Sequence, residues 1–257
     1  MESRLFDLSG RTALVTGAGR GIGLAIAQGL AQHGAELAIM ARTKEQLETA
    51  RQQIHADTGK AVRTFPFDLE DVDQIEALFE TIAAETRGVD ILVNCAGTTI
   101  RGPAEDVDIK SWNHVLQVNL TAVFVLSQAF CRHRKQAGKA GRIINIGSLT
   151  CHAARPSTAA YGTSKSGLLM LTKTLAVEWA KYNINVNVIG PGYIVTELTK
   201  PLWTDDDFNQ WVLTKTPLAR WGRPEDLVGT AVLLASRAGE FITGQIIYVD
   251  CGWLALL

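Results

Sequence analysis

The chain has 257 residues, room for one large α/β domain or two small ones. Hydrophobic residues make up 47% and charged residues 20%, which permits a sizeable core, and 25 Lys plus Arg against 26 Asp plus Glu leave a formal net charge of −1. That balance excludes general attraction to nucleic acid or to an anionic membrane surface, so any bound anion must be held by a few placed groups.

Apolar runs of strand length alternate with amphipathic runs of helix length. The pattern predicts strands over 12–16, 36–41, 61–66, 90–94, 142–146, 184–189 and 245–249. Between them it predicts helices over 22–33, 44–57, 71–87, 110–136, 158–181 and 224–236. Several strands read as unbroken apolar stretches (ALVT, ILVN, IINI), as parallel strands covered on both faces do. A β-α repeat carried through the whole length predicts a single α/β domain, a doubly wound parallel sheet of Rossmann type with helices on both sides. The stretch 193–223 reads as irregular and holds Trp203, Phe208, Trp211 and Trp221 among charged residues. It follows the carboxyl end of a strand, where ligands bind in such sheets, and is expected to be a substrate lid.

Thr16-Gly17-Ala18-Gly19-Arg20-Gly21-Ile22-Gly23 sits between the first strand and the first helix. Glycines there let the backbone turn tightly and approach a pyrophosphate, and the helix start supplies free N–H groups. A glycine string alone is weak evidence; in this strand–turn–helix context it predicts dinucleotide binding. The second strand ends Met40-Ala41-Arg42, with no carboxylate to receive a ribose 2′-hydroxyl. Arg42 can clasp a 2′-phosphate and Arg20 supplies a second cation, so NADP(H) is favoured and NAD(H) stays possible.

Tyr161 and Lys165 fall four residues apart in a helical pattern, on one face. A phenol is too weakly acidic to act as a base at neutral pH, and a nearby ammonium, together with the positive charge of the oxidised nicotinamide, is expected to favour its ionised form. The tyrosine then exchanges a proton with a carbonyl or alcohol oxygen. Ser148, at the end of the fifth strand, can hold that same oxygen. Asn119 falls in mid-helix, where propensity gives an amide no advantage.

Taken together, T-G-x-x-x-G-x-G, Asn94-Cys95-Ala96-Gly97, a mid-helix Asn, a Ser and Y-x-x-x-K resemble the short-chain dehydrogenase/reductase family over essentially the whole chain. The resemblance implies a seven-stranded Rossmann sheet and a catalytic tetrad of Asn119, Ser148, Tyr161 and Lys165. It also implies cofactor contacts at Asp68, Leu69, Asn94, Ala96 and Gly97, and at Pro191, Gly192, Ile194 and Thr196. A homotetramer is implied as well, with the apolar stretch 168–179 compatible with burial between subunits. Cys95 stands where a second Asn is commonest, and Cys251 interrupts a V-D-G-G ending; neither touches the tetrad. The stretches 178–187 and 249–255 are similar to 2-deoxygluconate 3-dehydrogenases, and 191–200 and 216–222 to gluconate 5-dehydrogenases.

A sugar-acid substrate needs a cation near the tetrad, and Arg101 and Arg155 lie on loops expected at the mouth of the site. His152 is similarly placed but reads as loop packing. Two other functions stay open: reduction of a different carbonyl, such as a 3-oxoacyl thioester or ketone, and a sensor that binds NADP(H) without turnover. The complete tetrad speaks against the sensor. Cys95, Cys131, Cys151 and Cys251 are scattered without a C-x-x-C pair, so no metal site is signalled and reduced thiols are expected. The N-terminal MESRLFDLSG lacks a signal-like apolar core, and no segment reads as ~20 consecutive apolar residues. A cytoplasmic enzyme with a small-molecule substrate is therefore the expectation.

Overall fold

Successive side chains on a strand point to opposite faces, so an apolar run such as Ala13-Leu14-Val15 requires both faces of its sheet to be covered. The computed structural model, which describes residues 5–256, has this arrangement. The first four residues of the N-terminal segment therefore lie outside the described residues. The chain runs β1 (Thr12–Thr16), α1 (Gly21–Gln32), β2 (Glu36–Ala41), α2 (Lys44–Thr58), β3 (Val62–Pro66), α3 (Ile75–Thr86) and β4 (Ile91–Asn94). It continues through α4 (Ile109–Leu116), α5 (Ala122–Ala137), β5 (Gly141–Ile146), α6 (Ala159–Trp179) and β6 (Ile184–Pro191). Last come α7 (Lys200–Trp203), α8 (Asp206–Lys215), α9 (Val228–Ala235) and β7 (Ile246–Val249). All seven strands are parallel, in the order β3-β2-β1-β4-β5-β6-β7.

Ala13 and Val15 pack with Ile26, Leu30, Leu47 and Leu234 of α1, α2 and α9 on one face. Leu14 packs with Phe79, Leu126, Phe130 and Leu175 of α3, α5 and α6 on the other. The sheet is thus the middle of three layers, with a core on either side.

The expected strands agree with the observed ones to within two residues at each end. Besides the helix expected over 224–236, which opens with a 3-10 turn, Pro224–Leu227, before α9, three expectations need correction. The segment expected to be helical from residue 71 opens with a 3-10 turn, Val72–Gln74, before α3. The helix expected over 110–136 contains a π turn, Gln117–Thr121, between α4 and α5. With that turn, Ile109–Ala137 is one continuous 29-residue run, and among the described residues it is the one helix long and apolar enough to cross a bilayer. In the fold 56% of its most apolar window is buried, which fits a core helix laid on the sheet. Third, the stretch 193–223 is not irregular throughout, since α7 and α8 lie within it. Asp205 caps α8 by accepting from the Phe208 amide at 2.8 Å, with Asp206 and Asp207 in the first turn.

The amino ends of the central strands are tied by one arginine. Arg134 of α5 is 4% exposed and pairs with Asp90 at 2.9 Å. Its Nε and Nη2 donate to the Ala140 carbonyl at 2.9 and 2.6 Å, and its Nη1 donates to the Val89 carbonyl at 3.2 Å. The Asp90 carboxylate also accepts from the Thr12 amide at 2.9 Å, which links β1 to the same knot. Removing Arg134 leaves the part-buried Asp90 carboxylate without its charge partner and the Val89 and Ala140 carbonyls without their donor. Arg134→Ala is therefore expected to cost about 1–3 kcal/mol of stability. Denaturant unfolding checks this, and a variant as stable as the parent refutes it.

Candidate active site

The strand order reverses between β1 and β4, and their carboxyl ends open a crevice. The Thr16 hydroxyl accepts from the amides of Cys95 at 3.0 Å and Ala96 at 3.0 Å, stitching the loops after the two strands together. Two glycines are required by this closeness. A Cβ on Gly17, which has φ +67°, would stand 2.8 Å from the Ala96 Cα, and one on Gly23 would stand 2.4 Å from the Gly17 carbonyl oxygen. The α1 start receives no side-chain cap from Arg20 and has no acidic residue in its first turn, so its amides face the crevice without an anion of the protein's own.

A single cleft is lined by Gly17, Gly19, Arg20, Gly21, Ile22 and Gly23, and by Arg42, Asp68 and Leu69. Ala96, Gly97, Ser148, Tyr161, Lys165, Pro191, Gly192, Ile194 and Thr196 complete the predicted set along it. Of the predicted cofactor contacts one is elsewhere, and the predicted Asn119 does not line this cleft either. Asn94 is buried at the end of β4, where its Nδ2 donates to Asn145 Oδ1 at 2.8 Å and to Ser127 Oγ at 3.3 Å. Asn145 in turn donates to Thr172 at 2.8 Å, so this asparagine belongs to a buried network beneath the cleft.

At one end of the cleft stand Ser148, Tyr161 and Lys165. Lys165 is buried and its Nζ donates to the Ile146 carbonyl at 2.7 Å, lying 5.9 Å from the Tyr161 ring centre. Burial lowers the Lys165 pKa, against the pull of Cys151 and Cys95. Burial likewise raises the Tyr161 pKa; a hydrogen bond with Ser148 and the charge of Arg101 act against that rise. The expected lowering of the phenol's pKa, which includes the charge of the oxidised nicotinamide, is not a property of the protein by itself. Desolvation outweighs the opposing effects, and Lys165 is turned toward β5.

Asn119 lies in the π turn, a feature that often marks functional sites. Its Oδ1 accepts from the Thr98 amide at 2.8 Å, and its Nδ2 donates to the Thr98 carbonyl at 2.9 Å and to Ser164 Oγ at 3.0 Å. Ser164 donates to the Tyr161 carbonyl at 2.7 Å. The amide therefore joins the loop after β4 to the helix that carries Tyr161 and Lys165. At the cleft's far end Arg42 is exposed and stands 3.8 Å from Asp68. Thr196 and Thr199 share a hydroxyl contact at 3.0 Å, and Thr199 donates to the Ile194 carbonyl at 2.6 Å, which shapes the wall after β6.

Arg101 and Arg155 line a depression together with Phe208 and Trp211 of α8. The Arg155 guanidinium lies 4.2 Å from the Phe208 ring centre and 5.8 Å from that of Tyr193. Burial lowers the Arg101 pKa and the charge of Arg155 adds to this, a mark of two cations set close together. Among the described residues neither arginine has a carboxylate within ion-pair distance. The segment 193–223 is closed at its neck by a bridge between Ile194 and Gly222. His152 packs on Tyr248 at 6.4 Å between ring centres, as a loop-packing residue does.

Tyr193 and His114 were missed from the sequence. Tyr193 touches the rings of Phe208, Trp211, Trp221 and Trp253, with centres 4.8–6.1 Å away. Its only signal was its place right after Pro191-Gly192. His114 lines the cleft from α4, and nothing in its local sequence marked it.

The family model described as enoyl-(acyl carrier protein) reductase matches residues 17–254. The chain is 42% identical over 248 residues to the gluconate 5-dehydrogenase of Gluconobacter oxydans, covering 96% of each chain. It is 44% identical over 252 residues to the 2-dehydro-3-deoxy-D-gluconate 5-dehydrogenase of Bacillus subtilis, covering 97% of each. A solved gluconate 5-dehydrogenase from Burkholderia cenocepacia, in complex with NADP and tartrate, superposes with a TM-score of 0.94 at 40% identity over 99% of both chains. A fold, a cleft and a full-length likeness that agree in this way have one reading: the chain belongs to the short-chain dehydrogenase/reductase family.

Proposed function

We propose that the protein interconverts a small hydroxylated sugar acid and its keto form, with NADP(H) as hydride carrier. One observation carries the reading: a single cleft runs from Arg42 to Ser148, Tyr161 and Lys165, and beside its reacting end lie two arginines with no carboxylate partner among the described residues. The full-length relatives that act on gluconate and 2-dehydro-3-deoxygluconate support the sugar-acid class.

The cleft fits a dinucleotide because its floor is bare backbone. At Gly17 and Gly23 a Cβ would collide, and the uncapped α1 start offers its amides to a pyrophosphate. Arg42 and Arg20 hold the 2′-phosphate, and Ala41 presents no carboxylate to repel it, which favours NADP(H) over NAD(H). The solved relative with NADP bound supports this choice. When bound, the nicotinamide supplies or accepts the hydride.

The residues of this chain handle the proton and the pose. Ser148 holds the substrate oxygen. Tyr161 gives its proton to that oxygen in reduction and takes it back in oxidation. Burial keeps Tyr161 protonated in the protein alone, so it stands ready as the acid. Lys165 places a positive charge beneath the ring and holds the cofactor ribose. Asn119 locks the loop after β4 to α6 and so fixes the Tyr161 carbonyl and the Lys165 helix. Segment 193–223 is the lid, with Tyr193 as its aromatic hub, and Arg101 and Arg155 take the carboxylate. A homotetramer accords with Phe124, Met170 and Val177, which leave apolar side chains exposed on α5 and α6.

Tyr161→Phe is expected to lower kcat about 10³-fold with NADPH affinity near the parent's, since proton transfer alone is worth about 10²–10⁴. Retained turnover in steady-state assays refutes this mechanism. Ala41→Asp with Arg42→Leu is expected to move the coenzyme preference from NADP(H) toward NAD(H), because it removes a phosphate partner and adds a repelling charge. A parent enzyme already more efficient with NAD(H) overturns the assignment of Arg42.

Removing Arg101 or Arg155 tests the substrate class. A charge-assisted hydrogen bond is worth roughly 1.5–3 kcal/mol, about ten- to hundredfold in kcat/KM. Arg101→Ala or Arg155→Ala is expected to lose that much on a keto sugar acid and little on a neutral carbonyl analogue. Equal losses on both, or none on either, defeat the carboxylate assignment. A substrate screen in which only apolar ketones or 3-oxoacyl thioesters react defeats the sugar-acid reading.

A further inference from the structure

The cleft has a reacting end at Ser148, Tyr161 and Lys165 and a far end at Arg42 and Asp68. A dinucleotide that brings its nicotinamide to the first end lays its adenosine at the second, because the end of the second strand receives the adenosine ribose in such sheets. The base then lies against the turn after β3 that carries Asp68 and Leu69, and against whatever faces that turn. His114 of α4 lines the same cleft and faces it, since its Nδ1 is hydrogen-bonded to the Glu70 carboxylate of that turn.

Glu70, which holds the ring, is itself held from two sides. The Glu70 amide donates to Asp68 Oδ1 at 3.1 Å, and Gln117 Nε2 in the π turn donates to the Glu70 carbonyl at 3.3 Å. These bonds fix the Glu70 backbone against both the turn and the helix that bears His114. An ionised carboxylate can only accept, so Nδ1 carries the proton, and Nε2 of the neutral ring is left with a lone pair. Nδ1 makes the only hydrogen bond of this ring among the described residues, so Nε2 is the ring's available acceptor.

We propose that His114, oriented by Glu70, recognises the adenine base of the cofactor, its Nε2 accepting a hydrogen bond from the 6-amino group. The inference rests on reading the cleft as an NADP(H) site. An amino group carries two hydrogens, so Asp68 on the same turn can take the other. Hypoxanthine has a carbonyl oxygen in place of that amine and would set one acceptor against another. Glu70 is a positioning residue, since it acts by fixing which nitrogen of His114 holds the proton.

The test is base discrimination in binding. Dissociation constants for NADPH and for its hypoxanthine analogue would be measured at pH 8 by titration calorimetry with the parent, His114→Leu and Glu70→Ala. The parent is expected to prefer NADPH by about three- to tenfold, the worth of one neutral hydrogen bond. Both variants should narrow the gap between the two constants, Glu70→Ala with the imidazole still present, leaving only the share that Asp68 contributes. A merely structural role for the pair would weaken both nucleotides alike and keep their ratio, and that result overturns the proposal. A parent that binds both nucleotides equally overturns it too. A parent that binds neither overturns instead the NADP(H) reading beneath it. Should His114→Leu fail to fold, the ratio in Glu70→Ala decides alone.

Discussion

The close approach of the β1 and β4 ends is the constraint on which the rest of the site depends. Thr16 accepts two amides from the loop after β4, and this draws Ala96 to where a Gly17 side chain would otherwise sit. The crevice at the reversal of strand order therefore has a floor of bare backbone. Polar N–H groups can reach a ligand there only because no Cβ intervenes. Everything else in the cleft, from Arg42 at one end to Tyr161 at the other, is arranged along that floor.

Burial sets the chemistry of the reacting end. In water a lysine four residues from a tyrosine would be a weak surface pair. Here Lys165 is buried and Tyr161 half-buried, and desolvation raises the Tyr161 pKa while it lowers that of Lys165. Each group is pushed toward its neutral form, so a charge brought in by a ligand acts in a medium that screens it little. Asn119 keeps these parts in register through four hydrogen bonds that run from Thr98 to the Tyr161 carbonyl. The π turn makes this possible by setting an amide inward where a regular helix would present a different face.

The mouth of the site is built differently. Tyr193 gathers four aromatic rings, and Arg155 stacks on Phe208 of α8, so the segment after β6 is anchored by ring contacts and one cation. Few of these groups are fully buried, in contrast to the cores on either side of the sheet. The segment therefore rests on the site through ring contacts at its surface, whereas the strands are held by the buried cores.

Local pattern alone determined much of this protein. The unbroken apolar strands required a sheet covered on both faces, and the glycine string between a strand and a helix located the dinucleotide cleft. Arg42 after an uncharged strand end pointed to NADP(H), and the spacing of Tyr161 and Lys165 set both on one helical face. These features were legible because backbone sterics and residue period act over a few neighbours. The tertiary structure decided what depends on contacts between distant segments. Asn94 turned inward to Asn145, Lys165 reached for the Ile146 carbonyl, and the acids at 205–207 started a helix where irregular chain was expected. The pairing of His114 with Glu70, and of Arg101 with Arg155, joins residues more than forty positions apart. Burial and hydrogen-bond partners at such positions follow from the packing of whole elements, and no short window of sequence carries that information.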